Sequence, residues 1–179
     1  MSKLDLGEVT AISHGAGPRS PHWHLVEKEF LINNPKCNAC DPISSGYGVN
    51  VHHIHPYHIC VLLGRHDLEL DTRNLVTLCS TEEGKTSYHH HIVLGHLDDF
   101  QLNNDHVIED IARYKGIEGK TLLQESDFKQ RIANRPKPFP QWTDQEKQDY
   151  RGMLDTQLPP DPNVCTKYGF VIKSYLGTN

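Results

Sequence analysis

Cys37-Asn38-Ala39-Cys40 places two thiols three positions apart, and Cys79 adds a third later in the chain. Two thiolates on a tight turn can take two corners of a tetrahedron, the arrangement of a structural zinc site. A thioredoxin-like redox pair has the same spacing, but it belongs to a strand-to-helix step of a βαβ unit. Here the pair follows a helical segment and precedes a turn. Five cysteines (Cys37, Cys40, Cys60, Cys79 and Cys165) make an odd count, which argues against a disulfide framework. The fourth ligand is to be found among His89, His90 and His91, and His90 is the choice. The first expected cofactor is one structural Zn2+ on Cys37, Cys40, Cys79 and His90.

Histidine is the second unusual residue: 11 of the 13 lie between His22 and His96. Neutral imidazole is the commonest metal ligand, and a solvated surface does not need so many in one segment. The most informative stretch is Val51-His52-His53-Ile54-His55-Pro56. Adjacent residues at the end of a strand point to opposite sides, so one histidine can bind a metal while the other faces a substrate. Asn74 follows 21 residues after His53, and the triple His89-His90-His91 comes after Cys79.

These residues need elements to hold them. Ser20-Pro21 is an N-cap followed by proline at the first helical position, and Trp23, Val26, Phe30 and Leu31 follow at helical spacing. Asn33-Asn34-Pro35 stops that helix just before Cys37. After a turn-rich stretch containing Asp41-Pro42 and Ser44-Ser45-Gly46, Val49 to Ile54 reads as a strand. Residues 57–72 read as a long loop of the kind that carries function. Leu75 to Cys79 reads as a second strand, Thr81 to Thr86 as a polar stretch, and Ser87 as the cap of a helix over 88–95 ending near Gly95. Further on, Val107, Ile108 and Ile111 mark one helix. Ser126 caps another at 127–134, and Thr143 with Glu146 forms a capping box for a third at 144–154. Pro-rich pieces at 136–140 and 159–162 separate them. The expected organisation is an arm at 1–20, a core at 21–100 and a helical extension at 101–179.

The pattern C-x-x-C, V-H-H-x-x-P, L-x-x-x-N-L-V-x-L-C and a closing histidine resembles the HNH endonuclease family, which includes DNase colicins and many phage and homing nucleases. The resemblance covers roughly residues 21–100. It extends to Ser20-Pro21-His22-Trp23, Leu68-Glu69-Leu70-Asp71 and Gly95-His96-Leu97-Asp98-Asp99, segments that look like those of a bacterial subgroup. It implies an α+β fold: a small ββα-metal core with a zinc knuckle, flanked by helices. It also implies that His52 binds a catalytic metal and that His53 is the general base. Asn74 would hold the loop that carries the base, and His91 would be a metal ligand on the helix. The chain departs from the family at the second zinc pair. Ten residues separate Cys79 from His90, and a histidine stands where the family has a cysteine. His90 and His91 lie about 100° apart on a helix, so one can face the zinc and the next the active site. His96 is a second candidate ligand. Its offset of five from His91 is awkward for a straight helix and requires a break at Gly95.

The chemistry so implied is phosphodiester hydrolysis in DNA. Neutral His53 takes a proton from water, which requires a pH near or above its pKa. A divalent ion stabilises the added negative charge and the leaving oxygen. Magnesium or manganese is expected, with zinc or nickel as alternatives. The net charge of −5 does not favour a polyanionic partner. Residues 21–100 carry five Lys/Arg against ten Asp/Glu. The best basic surface is 128–141, where Lys129, Arg131, Arg135 and Lys137 alternate with Phe128 and Phe139 and no acid intervenes. The contrasting function is a zinc-stabilised nucleic-acid- or protein-binding module without nuclease activity. No apolar run long enough for a membrane span and no signal-peptide pattern are seen, so a cytoplasmic location is the expectation.

Overall fold

Ser20 starts the first helix: its Oγ accepts from the His22 N–H at 3.2 Å and its carbonyl from the Trp23 N–H at 3.0 Å. Helix α1 runs Trp23–Asn33 and buries Trp23, Val26 and Phe30, three positions of one helical face. The structure, a computed structural model, describes residues 17–40, 48–80, 89–100 and 102–170. Most of the expected arm, the turn-rich stretch at 41–47, the polar stretch 81–86 and Ser87 as a cap lie outside the described residues. The fold is mixed α/β, with a two-stranded sheet and eight α-helices among the described residues. Among those residues, no helix is long and apolar enough to cross a membrane.

The chain divides into two compact units that do not follow the expected sequential boundaries. One holds Glu27–Ile54 and Leu75–Pro138; the other holds Met1–Val26, His55–Asn74 and Phe139–Asn179. Long-range packing, invisible to a left-to-right reading, causes the difference.

The first unit contains the sheet. Strands β1 (Gly48–His53) and β2 (Leu75–Ser80) pair antiparallel, from Gly48↔Ser80 to His53↔Leu75. Helix α3 (His90–His96) follows and packs Ile92, Val93 and Leu94 against Val76 and Leu78 of β2. Residues beyond 101 complete this core. Helices α4 (Val107–Arg113), α5 (Gly119–Leu122) and α6 (Ser126–Ala133) contribute Val107, Ile111, Leu122 and Phe128. Phe128 is fully buried and meets the Tyr114 ring edge-on at 5.2 Å. Burying such a side chain contributes about 1.5–3 kcal/mol, so this part of the extension is a layer of the core. Helix α6 begins one residue earlier than expected, and Ser126 is not its cap.

The second unit replaces the expected loop at 57–72 with structure. Helix α2 (Tyr57–Leu62) is followed by Gly64 at φ +76° and by 3-10 turns at His66–Glu69 and Thr72–Asn74. Helix α7 (Asp144–Gln157) is opened by the Thr143–Glu146 capping box, and α8 (Pro162–Tyr168) by Asp161, whose carboxylate accepts from the Asn163 N–H. Ile59, Cys60, Leu63 and Leu68 pack with Phe139 and Leu154. Arg65 is fully buried. It forms a two-bond pair with Asp67 at 2.8 and 2.9 Å, reaches Asp155 at 2.9 Å, and donates to the Leu158 carbonyl. Arg151 joins Asp155 to the Leu63 carbonyl. The Leu68-Glu69-Leu70-Asp71 motif is structural here. Leu68 is core, Glu69 accepts from the Ser20 N–H at 2.9 Å, and Asp71 pairs with Arg73.

Arg65→Ala leaves the buried Asp67 carboxylate without its main cation, and removing one partner of such a pair costs about 3–5 kcal/mol. Urea unfolding should show a loss of that order; parental stability would contradict the role given to Arg65.

Candidate metal centres

Two groups of side chains among the described residues could each hold a metal ion: Cys37, Cys40, Cys79 and His90, and separately His52, His91 and His96. Both lie in the unit that contains the sheet.

The first group is built from three pieces of chain. The turn carrying Cys37 and Cys40 is fixed by the Asn38 N–H on the Thr77 carbonyl and by the Gly116 N–H on the Ala39 carbonyl, at 2.9 and 2.8 Å. Cys79 sits near the end of β2, and His90 is the first residue of α3. His90 Nδ1 lies 3.5, 3.4 and 3.3 Å from the sulfurs of Cys37, Cys40 and Cys79, and the Cys40 and Cys79 sulfurs are 3.7 Å apart. Tetrahedral zinc with ordinary Zn–S and Zn–N bonds requires about 3.5 Å for S···N and about 3.8 Å for S···S. The donors therefore stand at zinc-binding distances. His90 Nε2 donates to the Ile117 carbonyl at 2.7 Å, which leaves the Nδ1 lone pair for the metal, the usual outer support of a ligating imidazole. The Cys79 thiol bonding to Cys37 holds the Cys37 thiol down to about 3, against the opposing effect of burial, while Cys79 is pushed up. Crowded thiols of this kind are relieved by a cation that takes all of them as thiolates.

The second group joins β1 to α3. The His52, His91 and His96 rings are 5.0–5.4 Å apart by centroid and nearly perpendicular to one another. Their ligand atoms all lie within 4.8 Å of one another. His52 is buried and its Nε2 has no hydrogen-bond partner. Burial, then the neighbouring imidazoles of His96, His91 and His53, push its pKa well below the ordinary value, so it stays neutral with a lone pair to give. His96 Nδ1 donates to the Leu102 carbonyl at 2.8 Å, so Nε2 is the ring nitrogen that carries the lone pair a metal would take. Phe100 covers His91 and His96, with ring centroids 6.2 and 5.1 Å away.

Helix α3 is not broken at Gly95, as the offset of His96 had required. It runs on to His96 and ends in a wide turn, with the Leu97 and Asp98 N–H groups both on the Ile92 carbonyl. A bond spanning five residues underwinds the last turn and swings His96 toward His91. Leu97 and Asp98 then take φ +50° and +64°, left-handed values that are strained for leucine and better tolerated by aspartate. Asn104 holds the helix end, its backbone N–H on the Gly95 carbonyl at 3.1 Å and its Nδ2 on the Leu94 carbonyl at 2.8 Å.

Gly95 was visible in the sequence only as a helix ender, yet its function here is close approach. A Cβ at this position would lie 2.8 Å from His52 Cε1 and 2.9 Å from Nδ1. Only glycine lets the His52 ring rest against the helix.

His53 ends β1 opposite Leu75 and is buried. Asn74, also buried, accepts from the His55 N–H at 2.8 Å and donates to the His55 and Leu68 carbonyls at 3.0 Å each. Its amide thus clamps the backbone two residues beyond His53.

The basic segment differs from its expectation as a nucleic-acid surface. Phe128 and Phe139 are buried core residues and offer no face for stacking. Arg131 donates to Asn104 Oδ1 at 2.7 Å and pairs with Asp110 at 3.3 Å, while Arg135 donates to the Leu97 carbonyl at 3.1 Å. These guanidinium groups support the end of α3. Lys129 and Lys137 are exposed. Comparison with protein-family models, with curated proteins and with solved structures found no match to the chain.

Three substitutions separate the two centres. His90→Ala should lose zinc and melt at a lower temperature, because structural zinc is linked to folding. His91→Ala should keep both zinc and melting temperature. Gly95→Ala should keep zinc at the cysteines but weaken a second divalent ion by about 10–100-fold, the usual effect of disturbing a ligand's support. Zinc loss from His91→Ala with retention in His90→Ala would exchange the two assignments.

Proposed function

We propose that the chain is a metal-dependent endonuclease of the HNH, ββα-metal type that hydrolyses DNA phosphodiester bonds. The observation that carries this reading is that two consecutive residues, His90 and His91, belong to separate ligand groups, one stapling the fold and one beside the strand that bears His53. The second group consists of three imidazoles and no carboxylate, a donor set that suits zinc or nickel best and manganese better than magnesium. The fit is supported by the unpartnered, buried Nε2 of His52. His52, His91 and His96 would hold such an ion, which would supply positive charge for the phosphate under attack and for the leaving 3′ oxygen.

The remaining work falls to the chain. His53, neutral, accepts a proton from water as that water attacks phosphorus in line, and the P–O3′ bond breaks. Asn74 keeps the backbone after His53 in place through its paired bonds to His55. Arg131 bonds to Asn104, which holds the end of α3, and Arg135 to the Leu97 carbonyl. Lys129, Arg135 and Lys137 are the exposed basic residues of the segment, and phosphate contact is proposed for them. The net charge of −5 favours a second reading, a zinc-stabilised binding module without nuclease activity.

Nicking of supercoiled plasmid separates the two. The expected result is cleavage that EDTA abolishes and that manganese, nickel or zinc restores better than magnesium. His53→Ala should cut about 10²–10⁴-fold more slowly, the contribution of a general base, with unchanged zinc content. No cleavage with any divalent ion would leave the binding module; parental cleavage by His53→Ala would remove His53 from its role.

A further inference from the structure

Three consecutive residues each bond to a different part of the histidine site. The Leu102 carbonyl takes the His96 Nδ1–H, and Asn104 takes the Leu94 and Gly95 carbonyls at the end of α3. Between them, Asn103 Nδ2 donates to the Ile54 carbonyl at 3.3 Å and to Asp105 Oδ1 at 3.2 Å. Ile54 directly follows His53, and the β1–β2 pairing stops at His53↔Leu75. The sheet pairing therefore ends at His53 itself, and the backbone that leaves it lies beyond the ladder. Asn103 reaches that point from a segment fixed to the metal-bearing helix.

The side chain is also unusual in its own right. Asn103 is 7% exposed, and its Oδ1 is buried without a hydrogen-bond partner. Buried polar atoms are nearly always paired, and an exception calls for a reason. Packing alone supplies none, since an apolar side chain would fill the space without stranding an acceptor. The Nδ2 bond to Ile54 supplies one, because it ties the strand end to the residues that hold His96 and α3.

We infer that Asn103 is a positioning residue, which fixes the strand end carrying His53 in register with the metal-ligating helix. The catalytic meaning of this inference rests on the nuclease reading; the placement of His53 does not. His52, His91 and His96 keep their own supports from β1, α3 and the Leu102 carbonyl, so the loss of Asn103 should move the base and spare the metal.

The test uses Asn103→Ala, which removes the donor, and Asn103→Asp, which turns a carboxylate toward the Ile54 carbonyl and Asp105. Both should lower kcat on plasmid DNA by about 10–100-fold, the effect of misplacing a reacting group by about 1 Å. KM, zinc content and affinity for added manganese should be unchanged. In protein carrying 15N-histidine, at fixed pH, the His53 ring resonances should shift or broaden in Asn103→Ala while those of His96 stay in place. Unmoved His53 resonances would overturn the inference whatever the rate. Parallel losses of melting temperature, manganese affinity and kcat would overturn it too, because Asn103 would then serve the fold and not the base. If the parent protein does not cleave, the nuclease reading fails, and the His53 resonances still decide the placement.

Discussion

The arrangement depends on a single step along one helix. His90 and His91 open α3, and consecutive helical residues point about 100° apart. His90 turns to three sulfurs, and His91 turns to His52 and His96. A structural ion at the first group would fix the origin and rotation of α3, and through it the direction in which His91 and His96 project. The Cys3His cluster is thus more than a staple for a modest core. With zinc bound it would set the reference frame in which the three histidines are assembled, and zinc's contribution to folding would be a contribution to their geometry as well.

A helix of seven residues pinned only at its start would fray, because its last carbonyls lack partners within the helix. Here they are taken up by Asn104, while Arg131 and Asp110 brace Asn104 in turn and Arg135 holds the carbonyl of Leu97. Positive φ at Leu97 and Asp98 is sustained by this surrounding network and by Leu97 being wholly buried in the core. The strain has a structural return: the wide final turn brings His96 round to His91. Gly95 completes the arrangement by admitting the His52 ring against the helix. Polar residues that read as a basic surface in the sequence are thereby drawn into supporting the helix that carries His90, His91 and His96.

What could be read in advance was what is encoded locally. The Cys37–Cys40 spacing, the strand that carries His52 and His53, the strand at 75–79 and the Thr143–Glu146 capping box each depend on residues a few positions apart, and each has its counterpart in the structure. Helical geometry separates His90 from His91 without saying which of them meets the cysteines; the structure places His90 there. What escaped depends on partners far along the chain. The 57–62 helix has no capping side chain to announce it, and the segment after it is held by Arg65, whose carboxylate partner Asp155 is 90 residues away. Phe128 looks the same in sequence whether it stacks on a base or fills a core. The need for glycine at position 95 comes from a ring on β1, and Asn103 and Asn104 act on elements that precede them.

The central claim, two metal sites of different chemistry fed by adjacent histidines, is tested most directly by the visible absorption of cobalt(II) titrated into metal-free protein. Cobalt bound by thiolates shows intense sulfur-to-metal charge transfer; cobalt bound by imidazoles alone does not. The account predicts a first equivalent with the charge-transfer band and tetrahedral d–d bands of a three-sulfur site. A second equivalent should follow without adding to the charge transfer. Saturation at one equivalent, or thiolate charge transfer growing through both, would contradict it.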